Sequence, residues 1–281
     1  MKGIFIGGMI KSGTSLVRRL VSSNDNVFSG LETYWFDLYD NFKHMNLVKG
    51  GGLTNQSCIS DLQRLENLSR FYGISSVKVE EIYKNNSNAL SFIENFFLEC
   101  TQIHHKNPYV WLEKTPGNAL FAEQILSASF PYIHVIRHPA DVWYSCKRDA
   151  KFASLNEFVE TYSLYQSAIF KTNCSNFKIL IYEDFIENKE AIARSLFDFL
   201  GLDTPRNDYA TLKDNGKELS IVRNHTGKTS NTLLRLEDPI DARSVGSRKD
   251  LPCEEKDFIE EKLFWCFGDN IMKRFGSNIL K

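Results

Sequence analysis

Short runs of consecutive apolar residues alternate along the chain with longer segments in which apolar residues recur every three or four positions. The short runs are typical of strands buried on both faces, and the longer period is typical of amphipathic helices. The runs predict strands over residues 3–6, 27–28, 109–112, 132–136 and 177–182. The longer period predicts helices from residue 14 and over 88–104, 118–128, 139–148, 154–172, 189–200 and 253–267.

This alternation of strands and helices indicates an α/β fold, in which a central parallel sheet carries helices on both faces. We predict a single domain over residues 1–281, with short helices around a loop at 34–75. The alternation of strands and helices becomes unclear over residues 203–250, where Asn, Asp, Thr, Ser and Gly are frequent. Between Arg223 and Lys249, six Lys/Arg stand against three Asp/Glu. This segment is therefore either a solvated loop or a lid that closes over an anion.

The composition narrows the class of protein. A net charge of −1 over 281 residues argues against binding to nucleic acid or to membrane surfaces. The six cysteines include no C-x-x-C pair, which fits neither a zinc site nor a disulfide framework and indicates a reducing compartment. No apolar stretch reaches the roughly 18 residues that a membrane-spanning helix needs. We therefore expect a soluble, cytoplasmic protein without a metal site.

A glycine-rich loop between the first strand and the first helix is the strongest local signal. Gly7 and Gly8 end the strand, and the helix starts after Gly13. A strand, a glycine loop and a helix together direct backbone N–H groups and the positive end of the helix dipole at an anion. We therefore expect this loop to hold a phosphate or a sulfate.

The loop differs in one position from the G-x-x-x-x-G-K-[ST] loop of nucleotide triphosphatases. Gly8, Gly13 and Ser15 match that pattern, but Thr14 occupies the lysine position and the lysine lies earlier, at Lys11. A Mg-ATP site needs a cation that reaches the β- and γ-phosphates, whereas Lys11 lies in the middle of the loop. The displaced lysine counts against a kinase, although glycine loops open many α/β domains.

Charged residues also follow two later strands. Arg137 comes directly after the fourth strand, with Ser145 two helical turns further on, and Lys114 follows the third strand. Ligands of open α/β sheets bind outside the carboxyl ends of the strands. Arg137 therefore either binds a phosphate or forms a surface ion pair with Asp141, and Lys114 is either a site residue or an exposed loop lysine.

Five segments, in order between residues 7 and 251, resemble motifs of the sulfotransferases that use 3′-phosphoadenosine 5′-phosphosulfate. The loop 11–15 is similar to their 5′-phosphosulfate loop, and the segment 137–145 to their 3′-phosphate motif. The segment 113–116 resembles a block of the heparan sulfate and, less closely, the protein-tyrosine sulfotransferases. Tyr182-Glu183 resembles a Tyr-Glu of the tyrosine group, and 245–251 resembles the C-terminal cover of bacterial members.

The resemblance implies a P-loop sulfotransferase-like fold and in-line transfer of a sulfuryl group to a hydroxyl or an amine, without a metal. The donor carries roughly four negative charges, so it needs several cations and N–H donors. The implied donor site consists of Lys11, Ser12, Gly13, Thr14, Ser15, Arg137, Ser145, Tyr182, Arg248 and Lys249. The match over 35–108 is poor, so the acceptor stays open between peptide tyrosine, sugar, lipid and small metabolite.

The resemblance also implies a catalytic base. The cytosolic steroid and phenol sulfotransferases have a histidine where Pro116 stands here, so that base is missing. The Golgi branches instead share a glutamate a similar distance after the loop lysine as Glu32, which lies 21 positions after Lys11. We therefore expect Glu32 to be the base, with Glu113 as second choice. The alternative role for Glu32 is to cap the helix at Thr33.

Lys11 and Lys114 are the other residues to which the resemblance gives a catalytic role. Lys114 would neutralise charge on the bridging oxygen as the sulfuryl group leaves, which is a transition-state contact. Tyr182 is either an adenine contact or a core tyrosine that ends a strand.

Two other functions remain open. A P-loop kinase of a small molecule would use the same fold with MgATP, but Thr14 in the lysine position and the lack of a clear Walker-B aspartate count against it. A non-catalytic nucleotide-binding protein would have the same loop without a working base.

Overall fold

The computed structural model describes residues 2–39, 66, 68–103, 110–167, 174–205, 244–267, 271 and 275. Within them, the strands are β1 (Lys2–Gly8), β2 (Val27–Ser29), β3 (Val110–Lys114), β4 (Tyr132–Ile136) and β5 (Phe177–Ile181). They form a five-stranded parallel sheet in the order β2-β3-β1-β4-β5. In the register, Phe5 lies opposite Tyr132, and Tyr132 lies opposite Phe177.

Helices surround this sheet. They are α1 (Thr14–Val21), α2 (Ser76–Lys84), α3 (Ala89–Ile103), α4 (Ala122–Ser127), α5 (Pro139–Arg148), α6 (Leu155–Gln166), α7 (Tyr182–Glu187), α8 (Lys189–Leu200) and α9 (Cys253–Leu263). Residues 35–39 and 68–72 are also helical. Shorter 3₁₀ segments cover Pro116–Phe121, Ser247–Asp250 and Phe264–Cys266. In the described part of the chain, no helix is both long and apolar enough to cross a membrane.

Burial explains why the strands appear in the sequence as continuous apolar runs. Every residue of β3 and β4 is buried, and in β1 only Lys2 is exposed. A parallel sheet is covered on both faces, so both side-chain faces of its strands are mainly apolar. The exceptions in β3 are Glu113 and Lys114, which are buried as well and belong to the candidate site.

The helix α5 begins where the sequence predicts it. Pro139 occupies its first turn, where a missing N–H leaves no helical hydrogen bond unmade. His138 is the N-cap, and its Nδ1 accepts a hydrogen bond from Ala140 N at 3.2 Å. The C-cap is Asp149. Both ends of α5 are therefore fixed by residues close to the candidate site.

The chain divides into two compact units, and β1 contributes residues to both. The described residues of the first unit, called here the Glu32 unit, are those up to Ile4 and Arg18–Thr115. Its core contains Trp35, whose ring lies edge-on to Phe92 and Phe96 at centroid distances of 5.0 and 4.8 Å.

The second unit, called here the Lys11 unit, contains Phe5–Val17 and the described residues from Pro116 onward. Its core packs α5, α6 and α9 together through Trp143, Phe158, Tyr162 and Ile259. The same core includes Ile136 at the end of β4 and Ala140 at the beginning of α5. The predicted phosphate-binding residue Arg137 lies between them.

The α/β fold with a central parallel sheet is confirmed, with differences at the element ends. Tyr182, predicted to end the fifth strand, instead begins the short helix α7. The helix predicted over 118–128 is a 3₁₀ segment followed by α4, and α2 was not predicted. The single domain stays a prediction. Most of the predicted lid, residues 206–243, lies outside the described residues.

Candidate active site

The loop between β1 and α1 has the backbone of a tight turn. Gly8 and Gly13 have φ angles of 141° and 102°, and Lys11 adopts the left-handed region with a φ of 66°. A Cβ on Gly13 would lie 2.4 Å from the Tyr182 ring, so only glycine allows this ring to pack on the loop. The Ser12 hydroxyl is buried, and no hydrogen-bond partner for it occurs among the described residues.

Lys11 forms an ion pair that the sequence did not predict. Its Nζ lies 2.6 Å from Oδ2 of Asp149, and Nε of Arg148 lies 3.1 Å from the other oxygen of the same carboxylate. The hydrogen bond from Lys11 is the main cause of a lowered pKa of Asp149, although burial opposes it. The cation of the loop is therefore paired with Asp149, the residue that ends α5, whose carboxylate also contacts Arg148.

Arg137 connects three parts of the Lys11 unit. The residue is buried, and its Nη1 donates to the carbonyl oxygen of Lys11 at 3.0 Å, while Nη2 donates to the carbonyl oxygen of Ser244. The guanidinium carbon lies 4.8 Å from the centre of the Tyr182 ring. Nε is buried, and none of the described residues pairs with it. Arg137 is therefore an interior residue at the end of β4.

The alternative partner of Arg137, Asp141, instead organises the C-terminal segment 244–250. The fully buried Asp141 carboxylate accepts from the backbone N–H groups of Gly246 at 3.0 Å and Arg248 at 2.6 Å. It also forms an ion pair of 2.9 Å with Arg248 Nη1. Tyr182 adds a hydroxyl contact of 2.6 Å to Ser244 Oγ. The segment thus lies against the first turn of α5.

The remaining predicted donor residues are placed as follows. Ser145 is buried, and its hydroxyl donates to the carbonyl oxygen of Asp141 at 3.1 Å, one helical turn earlier. Thr14 is buried, Ser15 is partly buried, and Lys249 is exposed. The structure thus brings together Lys11, Gly13, Arg137, Tyr182 and the segment 244–250 within the Lys11 unit.

A cavity of about 270 Å³ adjoins this group of residues. Its wall contains His138, Glu183, Glu187, Val245, Gly246, Arg248 and Phe275. The His138 N–H donates to Oε1 of the buried Glu183 at 2.9 Å, while Oε2 has no hydrogen-bond partner among the described residues. Burial raises the pKa of Glu183, although the His138 N–H opposes this. The space is large enough for several water molecules, which occupy about 30 Å³ each in the liquid.

In the Glu32 unit, the predicted base and Lys114 form a buried ion pair. Glu32 accepts hydrogen bonds from Lys114 Nζ and from the Tyr34 hydroxyl, the latter at 2.5 Å. The side chain of Lys114 is only 3% exposed, whereas that of Glu32 is 29% exposed. The interpretation of Lys114 as an exposed loop lysine is therefore wrong.

The pKa values of this pair reflect burial and mutual attraction. Burial tends to raise the pKa of Glu32, but the ammonium of Lys114 and the Tyr34 hydroxyl together lower it below the usual value. Burial lowers the pKa of Lys114, assisted by the nearby Arg18 and opposed by Glu32. The arrangement favours an ionised Glu32 carboxylate.

Glu113, the second choice for the base, is buried and accepts hydrogen bonds from two threonines. It is 2% exposed, and its Oε1 accepts from the hydroxyls of Thr33 at 2.8 Å and Thr115 at 2.7 Å. The Thr115 hydroxyl in turn accepts from Tyr34 N at 3.2 Å, next to the helical residues 35–39. Thr115 therefore holds the backbone just before those helical residues.

The sequence reasoning missed Asp149, Tyr34 and the role of Asp141. Asp149 and Lys11 are 138 positions apart, so no local pattern links them. Asp141 stands in the first turn of α5, where an acidic residue is common for reasons of the helix dipole alone. Among the described residues, no three His, Cys, Asp or Glu side chains are grouped as a metal site would require.

Comparison with known proteins shows the family to which this chain belongs. The family model of the sulfotransferase family matches residues 3–206. The chain therefore belongs to the sulfotransferase family and is a sulfotransferase enzyme. No curated protein matches its sequence significantly.

Two solved structures share the fold. The sulfotransferase domain of the Synechococcus PCC 7002 olefin synthase is 18% identical with a TM-score of 0.59, over 95% of this chain and 94% of that one. The sulfotransferase domain from the curacin biosynthetic pathway is 15% identical with a TM-score of 0.54, over 94% of this chain and 98% of that one. At this identity the likeness concerns the fold alone.

Proposed function

We propose that this sulfotransferase moves a sulfuryl group from 3′-phosphoadenosine 5′-phosphosulfate to a hydroxyl or amine acceptor. The observation that carries the proposal is the position of Arg137, which joins the Lys11 loop, the Tyr182 ring and the segment 244–250. A donor with phosphate groups at both its 3′ and 5′ positions needs cationic donors at more than one place. Family membership favours this transfer over phosphorylation by MgATP.

Hydrogen-bond donors in the Lys11 unit fit such an anion. Ser12 Oγ and Arg137 Nε are buried donors for which the described residues provide no partner. Arg137 uses two of its five N–H groups on backbone carbonyls, which leaves others for a phosphate. In this assignment the loop 11–15 holds the phosphosulfate, and Arg137 with Ser145 holds the 3′-phosphate. Tyr182 contacts the adenine, and the remaining contacts come from Arg248 and Lys249.

The acceptor chemistry is assigned to the Glu32 unit. The reaction breaks the bond from sulfur to the bridging oxygen of the donor and forms a bond from sulfur to the acceptor oxygen or nitrogen. The Glu32 carboxylate takes the acceptor proton, and its lowered pKa keeps it in the form that can do so at neutral pH. The Lys114 ammonium and Lys11 offset the negative charge that develops on the bridging oxygen.

Two measurements test this function. Calorimetric titration should show binding of 3′-phosphoadenosine 5′-phosphate without a divalent metal, and ATP with Mg²⁺ serves as the comparison. Release of that product with a panel of peptide, sugar, lipid and metabolite acceptors should then be unchanged by EDTA. Binding of MgATP in its place would support the kinase, and nucleotide binding without turnover on any acceptor would support a non-catalytic protein.

The location and domain organisation belong to the same proposal. Cys100, Cys146, Cys174, Cys253 and Cys266 are free thiols in the structure, which fits a reducing compartment such as the cytoplasm. A single sulfotransferase domain over residues 1–281 is part of this proposal, and the family match covers residues 3–206 of it.

A further inference from the structure

Lys11, the cation of the predicted phosphosulfate loop, already forms an ion pair within the protein. The Lys11 ammonium lies 2.6 Å from Asp149 Oδ2, and the two side chains are only 21% and 11% exposed. Partial burial reduces the screening of this pair by water and salt. A second anion that approaches Lys11 must therefore share its ammonium with the Asp149 carboxylate, which also contacts Arg148 Nε at 3.1 Å.

The position of Asp149 is fixed by α5. The residue is the C-cap of this helix, and its N–H donates to the carbonyl oxygens of Lys147 and Ser145. Ser145 and Asp141 lie earlier on the same helix, so the carboxylate is held on the element that carries the predicted 3′-phosphate serine. On the other side, Lys11 has a positive φ of 66°, and its carbonyl oxygen accepts a hydrogen bond from Arg137 Nη1 at 3.0 Å. The backbones that carry both partners are thus held by hydrogen bonds.

We propose that Asp149 competes with the nucleotide for Lys11 and thereby limits how tightly the nucleotide product is held. This inference rests on the proposed function, because it takes Lys11 to be the residue that binds the 5′ end of the nucleotide. The 5′-phosphate must either share the Lys11 ammonium with the Asp149 carboxylate or displace it. In either case the two anions repel each other, so the complex is weaker than it would be without Asp149.

Replacement of Asp149 by asparagine removes the charge and keeps the size of the side chain. We expect the Asp149→Asn protein to bind 3′-phosphoadenosine 5′-phosphate roughly three- to fivefold more tightly, which corresponds to an ion pair of up to about 1 kcal/mol that no longer has to be broken. Most of this change should appear as slower dissociation of the nucleotide in stopped-flow measurements. Unchanged or weaker binding would contradict the competition. Asp149→Ala gives a second test if the asparagine variant does not fold.

Two controls separate this contact from a general effect of charge. Glu190→Gln makes the same change in charge at an exposed position on α8 and should leave the nucleotide affinity within about twofold, as for isolated surface charges. In the Lys11→Met background, Asp149→Asn should tighten binding much less, because the contested cation is absent and only the direct repulsion between the two anions remains. An equal gain in both backgrounds would show that Asp149 acts on the nucleotide without involving Lys11.

Acylation of Lys11 provides a measurement that does not depend on nucleotide binding. In the nucleotide-free protein, Asp149→Asn should raise the rate at which acetic anhydride modifies Lys11, because the Lys11 side chain is no longer paired with a carboxylate. The modification is measured by mass spectrometry. An unchanged acylation rate would show that Asp149 does not restrain the Lys11 side chain. If the acylation rate rises but no variant binds the nucleotide, the proposed function is rejected, and the competition for the nucleotide is rejected with it.

Discussion

At the scale of single residues, the two members of the Glu32–Lys114 pair differ in their access to solvent. The Lys114 side chain is 3% exposed, while 29% of Glu32 remains exposed. The Tyr34 hydroxyl and Lys114 Nζ both donate to Glu32, so its carboxylate is oriented from two sides. A group from outside the protein can reach Glu32 more readily than Lys114. This difference in exposure agrees with a role of Glu32 as the base that contacts the acceptor, while Lys114 stays buried.

Replacement of Glu32 by glutamine tests the base. Glutamine keeps the size and can still accept from Lys114, but it cannot take a proton at neutral pH. A general base typically contributes about 10²–10⁴-fold, so kcat should fall by that order. Nucleotide affinity, measured by calorimetry, should stay nearly constant, because the proposed donor contacts lie on other residues.

The control for this variant is Tyr34→Phe, which removes one hydrogen bond to Glu32 and keeps the carboxylate. It should lose far less activity than Glu32→Gln, since the base itself is intact. Full activity of the glutamine variant would exclude Glu32 as the base and transfer the role to Glu113. A loss of thermal stability without a loss of kcat would show that the ion pair is structural.

Arg137 is the residue for which the nucleotide specificity can be tested directly. Arg137→Ala should lose most of the preference for 3′-phosphorylated over plain adenosine nucleotides. The loss of a charge-assisted hydrogen bond costs about 1.5–3 kcal/mol, which is roughly ten- to over a hundredfold in affinity. Arg194→Ala removes an arginine from an exposed position on α8, so it is the control and should keep the preference. The same preference in both variants, measured by calorimetry, would remove Arg137 from the 3′-phosphate site.

At the scale of elements, α5 connects several of the predicted donor-site residues of the Lys11 unit. Arg137 directly precedes its N-cap, Asp141 stands in its first turn, Ser145 follows one turn later, and Asp149 is its C-cap. Through these residues the helix contacts the β1–α1 loop and the segment 244–250. A shift of α5 would therefore displace the phosphate-binding loop and the C-terminal segment together.

Asp141→Asn should release the segment 244–250 from α5. The asparagine NH₂ group would face a backbone N–H, so at least one of the bonds to Gly246 or Arg248 is lost along with the ion pair. Hydrogen bonds to charged groups contribute about 1.5–3 kcal/mol, so exchange of these two amides should accelerate roughly tenfold or more. Hydrogen exchange with mass spectrometry measures this change. Asp250→Asn, at an exposed position of the same segment, should leave exchange unaltered. Unchanged exchange in the Asp141 variant would mean that other contacts hold the segment.

The sequence predicted the strands well because burial on both faces makes each of them a local, continuous apolar run. It missed α7 because a helix of six residues directly after β5 is too short to show a helical period. The helix α2 was missed because only Val79 and Ile82 of its nine residues are buried. The contact of Asp149 with Lys11 depends on how distant elements come together, which a local pattern does not record. Arg137 and Lys114 could be proposed as site residues from the sequence because a strand end is itself a local feature.

At the scale of the whole molecule, the pH dependence of stability should reflect two buried histidines. Burial lowers the pKa of His134 to about 4, although a hydrogen bond with Gln166 opposes this. Burial also lowers the pKa of His138 to about 3, with a further contribution from Arg248. Both side chains stay neutral in the folded protein at pH values where they would be protonated in the unfolded chain. Protons therefore favour unfolding at mildly acidic pH.

His138 allows this effect to be measured at one position. In the unfolded chain a histidine takes up a proton near its ordinary pKa of 6.5, whereas folded His138 does so only near 3. The stability linked to His138 is therefore complete above pH 6.5 and is lost as the pH falls towards 3. Protonation would also remove the Nδ1 acceptor that caps α5 through Ala140 N.

His138→Asn keeps an N-cap acceptor and cannot be protonated in this range. We expect its free energy of unfolding, from urea titrations at pH 7, 6 and 5, to decline less with acidity than that of the unmodified protein. The difference in slope should approach, and not exceed, about 1.4 kcal/mol per pH unit, the value for a single proton. Lost packing of the imidazole against Phe275 lowers the stability at every pH, so the slope and not the absolute value decides. His134→Gln should change the slope independently, and the double variant should show the sum of both changes. Equal slopes for His138→Asn and the unmodified protein would show that His138 is protonated to the same extent before and after unfolding.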